Sequence, residues 1–177
     1  MMLPDAEALY RAVLDQIRAG LAADAFSAPG GFAIVGIHSG GAWVAQRLAQ
    51  DLDAAQWGVA NVALHRDDYA KKGLHGQARP TSLPFEVEGR RILLVDDVLS
   101  TGRTVRAALN ELYDYGRPAA VVLAVLADRG GRELPVAARF TGGEVRLPEN
   151  ANLVLARGDD GRFAFHTEPH AEPLGGA

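Results

Sequence analysis

Apolar positions along the chain recur with two different periods. After Asp5, a residue type suited to capping a helix, Leu9, Val13, Ile17 and Leu21 fall at helical spacing and predict an amphipathic helix on a core. The breaker Ser27–Gly31 ends that segment, and Phe32–Ile37 then runs apolar without alternation, as a strand covered on both faces does. Trp43, Val44, Arg47 and Leu48 define the faces of a helix over Gly41–Leu52, and Val59–Leu64 reads as a second strand. Arg91–Val95 and Ala120–Leu126 repeat the strand pattern; between them Val105, Ala108, Leu109 and Leu112 mark a helix closed by Gly116 and Pro118. Leu134–Phe140, Asn152–Ala156 and Arg162–Phe165 predict short edge strands. The Pro- and Gly-rich stretch from Thr167 predicts a mobile tail. Strands that alternate with helices predict an α/β fold with a central parallel sheet flanked by helices. One domain would span residues 1–166, with 167–177 as the tail.

One internal stretch has no period. Asp67–Pro84 is polar and holds Gly73, Gly76, Pro80 and Pro84, which predicts a long loop of the kind that is either functional or disordered. Composition narrows the picture. With 177 residues, 48% of them hydrophobic, the chain is long enough to bury a core without covalent staples. It has no cysteine, which excludes a disulfide framework, a thiolate zinc site and a cysteine nucleophile together. The first residues lack a basic stretch followed by an apolar one, and no apolar run approaches the ~20 residues of a membrane helix. The expected address is the cytoplasm, with no membrane partner. A net charge of −4 lowers the expectation of a dedicated nucleic-acid binder.

The most informative residues are Ile92–Thr104, where an apolar strand runs into Asp96-Asp97 and then Val98-Leu99-Ser100-Thr101-Gly102-Arg103-Thr104 before a helix. In open parallel sheets ligands bind beyond the carboxyl ends of strands. Ser100–Thr104 offers successive backbone N–H groups, hydroxyls and a positive helix end, an anion site sized for one phosphate. Two carboxylates a few residues before it suit vicinal ribose hydroxyls, so the stretch describes a cradle for ribose 5-phosphate. The plainer alternatives are a turn whose Asp, Ser and Thr merely cap the next helix, a receiver-type acidic pocket, or a metal-binding acidic pair without a suitably spaced third carboxylate. The histidines His38, His65, His75, His166 and His170 show no ligand spacing.

Ile92–Thr104 resembles the phosphoribosyl pyrophosphate (PRPP) motif of type I phosphoribosyltransferases. With Arg66-Asp67-Asp68, Arg106-Ala107-Ala108, Gly116-Arg117-Pro118 and Leu126–Pro135, the chain is similar to the PyrR family of pyrimidine regulators and uracil phosphoribosyltransferases. The resemblance covers most of residues 5–158. It implies the type I phosphoribosyltransferase fold with a flexible hood, and transfer of ribose 5-phosphate from PRPP to uracil, giving UMP. Asp96 and Asp97 would be the catalytic carboxylates on the ribose hydroxyls, and Ser100–Thr104 would hold the 5′-phosphate. His38, Ser39, Gly40 and Gly41 would form the pyrophosphate loop, Lys71, Lys72 and Arg79 would belong to the hood, and Asp128, Arg129, Gly130 and Leu153 would line the uracil pocket. Mg²⁺ would arrive on PRPP, with no dedicated protein cage. A homodimer or larger homo-oligomer is implied, and RNA is a further partner that the acidic balance argues against. One departure concerns the pyrophosphate loop, where PyrR proteins carry Thr-Arg and this chain has Ser39-Gly40. Another feature bears on the base: enzymes for 6-oxopurines place an Asp where this chain has Ser100, which favours a pyrimidine.

Overall fold

The computed structural model describes residues 2–62 and 80–170. Its central sheet is five-stranded, with strands β1 (Ala33–Ile37), β2 (Trp57–Ala60), β3 (Arg91–Leu99), β4 (Ala120–Asp128) and β5 (Phe140–Glu144) in the order β2-β1-β3-β4-β5. Every neighbouring pair is parallel. Helices α1 (Ala6–Gly20), α2 (Gly40–Asp51) and α3 (Arg103–Asp114) join a separate antiparallel hairpin of β6 (Ala151–Arg157) and β7 (Phe163–Pro169).

The unbroken apolar strands have a direct cause. Successive side chains point to opposite faces, and both faces are covered. Ile34, Leu93, Val95 and Leu126 pack with α1, α2 and the hairpin, whereas Val35, Leu94, Val105 and Leu112 form the core under α3. The expected start of α1 holds, with Asp5 Oδ1 accepting the N–H groups of Glu7 (3.0 Å) and Ala8 (3.2 Å). Tyr10, Val13, Leu14 and Ile17 are its buried stripe. At the β5 edge of the sheet, Gln16 of α1 donates to the Thr141 carbonyl (2.7 Å) and accepts from the Thr141 N–H (3.2 Å).

Several boundaries differ from those the sequence predicts. β3 continues four residues past Val95, because its ladder with β4 persists through Leu99. Leu134–Arg139 is not a strand, and β5 begins only at Phe140. The amides that a strand would need are engaged elsewhere: Glu133 and Leu134 both donate to the Thr101 carbonyl, at 2.9 and 3.2 Å. β6 and β7 do not extend the main sheet but pair with each other, and Thr167 and Pro169 sit opposite Leu153 and Ala151. The chain from Thr167 to Pro169 is therefore ordered hairpin, and residues 171–177 lie outside the described residues. The described end of the Asp67–Pro84 loop is also tied down. Val59 and Ser82 exchange two backbone hydrogen bonds of 2.8 Å, and Thr81 Oγ1 accepts from Asn61 N–H (2.9 Å) while donating to Glu111 (2.6 Å).

Candidate active site

The cleft lies beyond the carboxyl ends of β3 and β4, where the general rule for parallel sheets places a ligand. Its volume is about 1110 Å³. One wall consists of Asp97, Val98, Ser100, Thr101, Arg103 and Thr104, all from the stretch singled out in the sequence. Leu99 turns into the core behind them, and Gly102 is buried at the start of α3. Gly102 has φ 95°, and a β-carbon there would lie 2.6 Å from Val136 Cγ2, so the turn demands glycine twice over. Thr101 Oγ1 accepts the Arg103 N–H at 3.1 Å, and Arg103 pairs with Glu133 at 2.6 Å.

Strand alternation separates the adjacent carboxylates. Asp97 faces the cleft, with Oδ1 accepting the Val98 N–H at 2.8 Å. Asp96 is 6% exposed and accepts the Asp97 N–H at 2.9 Å. The expected pyrophosphate loop, His38–Gly41, joins β1 to α2, and its His38–Ser39 peptide is cis. The His38 N–H donates to the Ala60 carbonyl at 3.0 Å. Gly40 lies directly against the Asp97 carboxylate, and Gly41 against the backbone of Val95 and Asp96.

The opposite wall combines Arg129, Gly130 and Gly131 after β4 with Leu147, Glu149, Asn152, Leu153, Val154 and His170. Of the residues expected at a base pocket, Arg129, Gly130 and Leu153 line this wall. Asp128 is turned away onto Arg132, whose guanidinium donates to both of its carboxylate oxygens (2.9 and 2.5 Å). Arg132 also donates to the carbonyls of Ser100 (2.8 Å) and Val136 (2.9 Å), while Gly130 N–H donates to Asp128 Oδ1 (2.9 Å). The hydrogen bonds from Arg132, helped by that amide, hold the Asp128 carboxyl below the usual carboxylate range against the opposing effect of burial. Ser100 Oγ adds a bond of 3.2 Å to the Gly130 carbonyl. Arg132 and Ser100 thus brace the Asp97–Thr104 wall against the opposite wall.

A second clamp holds the hairpin. Arg47 of α2 donates to both oxygens of Glu7 (2.6 and 3.1 Å) and to the Gly161 carbonyl (2.6 Å), and its guanidinium stacks 3.9 Å from the Phe163 ring centroid. Glu7 also accepts the Phe163 N–H at 2.9 Å. The Arg47 hydrogen bond lowers the Glu7 carboxyl below its ordinary value, although burial opposes it.

Sequence reasoning did not find Arg132 and Arg47 as clamps, nor Glu149, Asn152 and Val154 as lining. Arg132 has Asp128 and Val136 four residues away, but its reach to Ser100 spans 32 residues. The partners of Arg47 and the lining residues lie far away in the chain or on a hairpin whose pairing no local motif announces. Lys71, Lys72 and Arg79, with His65 and His75, lie outside the described residues. His166 is 3.1 Å from Glu168. Among the described residues no group of three or more His, Cys, Asp or Glu is arranged to hold a metal ion, and no helix is long and apolar enough to cross a membrane.

Comparison with known proteins agrees with this geometry. Residues 6–152 match the phosphoribosyl transferase domain. The bifunctional protein PyrR of Ralstonia nicotianae is 59% identical over 168 residues, covering 93% of this chain and 95% of that one. The PyrR of Nitrosococcus oceani is 52% identical over 136 residues, with 75% and 77% covered. Among solved structures, a hypoxanthine phosphoribosyltransferase of Staphylococcus aureus superposes with TM-score 0.60 at 19% identity, covering 85% of this chain and 79% of that one. A hypoxanthine-guanine phosphoribosyltransferase of Bacillus anthracis gives TM-score 0.60 at 14% identity, with 82% and 84% covered. At those identities the solved structures speak to the fold alone. A strand-borne acidic pair, a glycine-dependent hydroxyl turn and matches of this length lead to one conclusion: the chain belongs to the PyrR family of phosphoribosyltransferases.

Proposed function

We infer that this protein is a uracil phosphoribosyltransferase, converting uracil and PRPP to UMP and pyrophosphate. The observation that carries the reading is the wall Asp97–Thr104, which presents a carboxylate and a phosphate-sized hydroxyl turn to one cleft. In the reaction, N1 of uracil bonds to C1′ of the sugar as the C1′–pyrophosphate bond breaks. The bonding electrons leave with pyrophosphate, and the N1 proton passes to that leaving group or to water. Positive charge builds on the ring, as in glycoside hydrolysis. Asp97, with Asp96 behind it, holds the ribose hydroxyls and stabilises that charge. Ser100–Thr104 anchors the 5′-phosphate, which does not react. The His38–Gly41 turn receives the leaving pyrophosphate, with Lys71, Lys72 and Arg79 as further cations from the hood.

The donor set suits a hard cation carried in on the substrate. Asp96 and Asp97 stand near the sugar site, and Mg²⁺ carried by PRPP would take its ligands from phosphate oxygens and water, with none direct from the protein. When bound, it neutralises charge on the leaving group. Arg129, Gly130 and Leu153 orient the base, and the Ser100 hydroxyl, bonded to Gly130, stands where a 6-oxopurine enzyme would place a carboxylate. A serine hydroxyl does not ionise at neutral pH and cannot take a base proton as a carboxylate can, so the site fits a pyrimidine. A turnover assay with PRPP and uracil, orotate, hypoxanthine or guanine tests this. Uracil is the expected substrate, and preference for a purine would overturn the reading.

Family membership supports a second role, pyrimidine-dependent regulation through leader RNA. With 18 basic against 22 acidic residues, we expect that binding to be weak. Tight, UMP-stimulated RNA binding with a steep salt dependence would refute the expectation. A cytoplasmic homodimer or larger homo-oligomer completes the proposal, with light scattering as the test of assembly.

A further inference from the structure

A β-carbon on Gly40 would lie 2.2 Å from Asp97 Oδ2, 2.8 Å from its Cγ and 3.3 Å from its Cβ. Contacts this short leave two choices: residue 40 has no side chain, or the Asp97 carboxylate moves. Asp97 has little room to move. Its Oδ1 holds the Val98 N–H at 2.8 Å, a bond that a shifted carboxylate would lose. Two more glycines bring the helix to this place. A β-carbon on Gly41 would sit 2.5 Å from the Val95 carbonyl oxygen, and one on Gly36 would sit 2.5 Å from the Gly41 carbonyl oxygen. The first turn of α2 therefore rests on the end of β3, with the positive end of the helix beside the carboxylate.

We propose that Gly40 is a positioning residue for Asp97. By lacking a side chain it sets the rotamer of the carboxylate that holds the ribose, and it joins the pyrophosphate turn and the ribose site into one unit. The departure from Thr-Arg at Ser39-Gly40 is then more than the loss of a cation, because in this chain the Asp97 carboxylate fills the space that a β-carbon on residue 40 would take. The proposal rests on the reading of Asp97 as the ribose carboxylate.

A double-mutant cycle tests it. Wild type, Gly40→Ala, Asp97→Ala and the double variant are compared for PRPP binding with Mg²⁺ by calorimetry, without any nucleobase, and for melting temperature. Truncating Asp97 removes the Oδ2 and Cγ atoms that the new methyl would strike. Each single variant should bind PRPP about tenfold more weakly, and the double should match Asp97→Ala within about twofold, since coupled residues are not additive. The melting penalty of Gly40→Ala should likewise vanish in the Asp97→Ala background. If Gly40→Ala fails to fold, the double variant should fold; failure of both would overturn the proposal. Penalties that multiply, or wild-type affinity in Gly40→Ala, would also overturn it. A wild-type protein that binds PRPP but leaves uracil unconsumed would refute the uracil reading alone.

Discussion

The two walls of the cleft, which we propose hold phosphate and base respectively, are built on opposite plans. The phosphate wall is one continuous stretch, Asp97–Thr104, shaped by its own backbone: a strand end, a left-handed glycine and a helix start. The base wall gathers a turn after β4, the loop before β6 and a hairpin, held in place by long side chains. Arg132 ties the first of these to the phosphate wall, and Arg47 ties the hairpin to α1 and α2. A backbone-built wall can be fully specified by a dozen neighbouring residues. A wall of assembled pieces depends on a few contacts between distant ones, and its weak points lie outside the cleft.

Substitutions separate the two plans, and the largest effect should come from the phosphate wall. Asp97→Asn should lower kcat by about 3–4 kcal/mol in transition-state terms, with little change in melting temperature. Asp96→Asn, on a buried carboxylate, should lose activity and stability together; wild-type kinetics in both variants would refute the assignment. On the other wall, Arg47→Met should cost about 2–3 kcal/mol of stability by stranding Glu7, and should raise KM for uracil more than KM for PRPP.

The Arg47 prediction carries a pH signature. Pairing lowers the Glu7 carboxyl in the folded state, so its contribution is complete above the ordinary glutamate value of 4.5 and is lost as pH falls through the lower, folded value. The gap in melting temperature between wild type and Arg47→Met should therefore be widest near neutrality and close in acid. A gap independent of pH would show that stacking on Phe163, not the ion pair, holds the hairpin. Arg132→Met should cost about 2 kcal/mol and, because it braces both walls, raise both Michaelis constants. A change confined to one substrate would break the cross-brace. The smallest effect belongs to Thr101→Val, which should raise KM for PRPP about tenfold and leave kcat unchanged, since the 5′-phosphate does not react. A comparable fall in kcat would mean that this turn senses the reacting centre.

The same contrast explains what the sequence made legible. Asp5 announced α1, and the apolar runs announced β1, β3 and β4, because helix caps and two-sided burial leave local patterns. The hydroxyl turn was legible for the same reason. Leu134–Arg139 misled because its apolar residues pack beneath the turn at Gly102, where Val136 Cγ2 stands, and do not enter the sheet. Thr167–Pro169 looked like a tail because Pro169 and Glu168 are poor strand formers, yet pairing with β6 outweighed propensity. Arg132 stood within the family motif, but nothing in its neighbours showed that its fork would reach Ser100. Clamps are written in three dimensions.

The carboxamide of Gln16 has a consequence for the assembly of many molecules. Among the described residues β5 is an edge strand, and an open edge is a template on which another chain can add. Gln16 offers Thr141 one donor and one acceptor, the same pair that a peptide unit of a sixth strand would bring. An incoming strand would first have to displace the partner that Thr141 already has, so this polar residue of α1 guards that position of the edge.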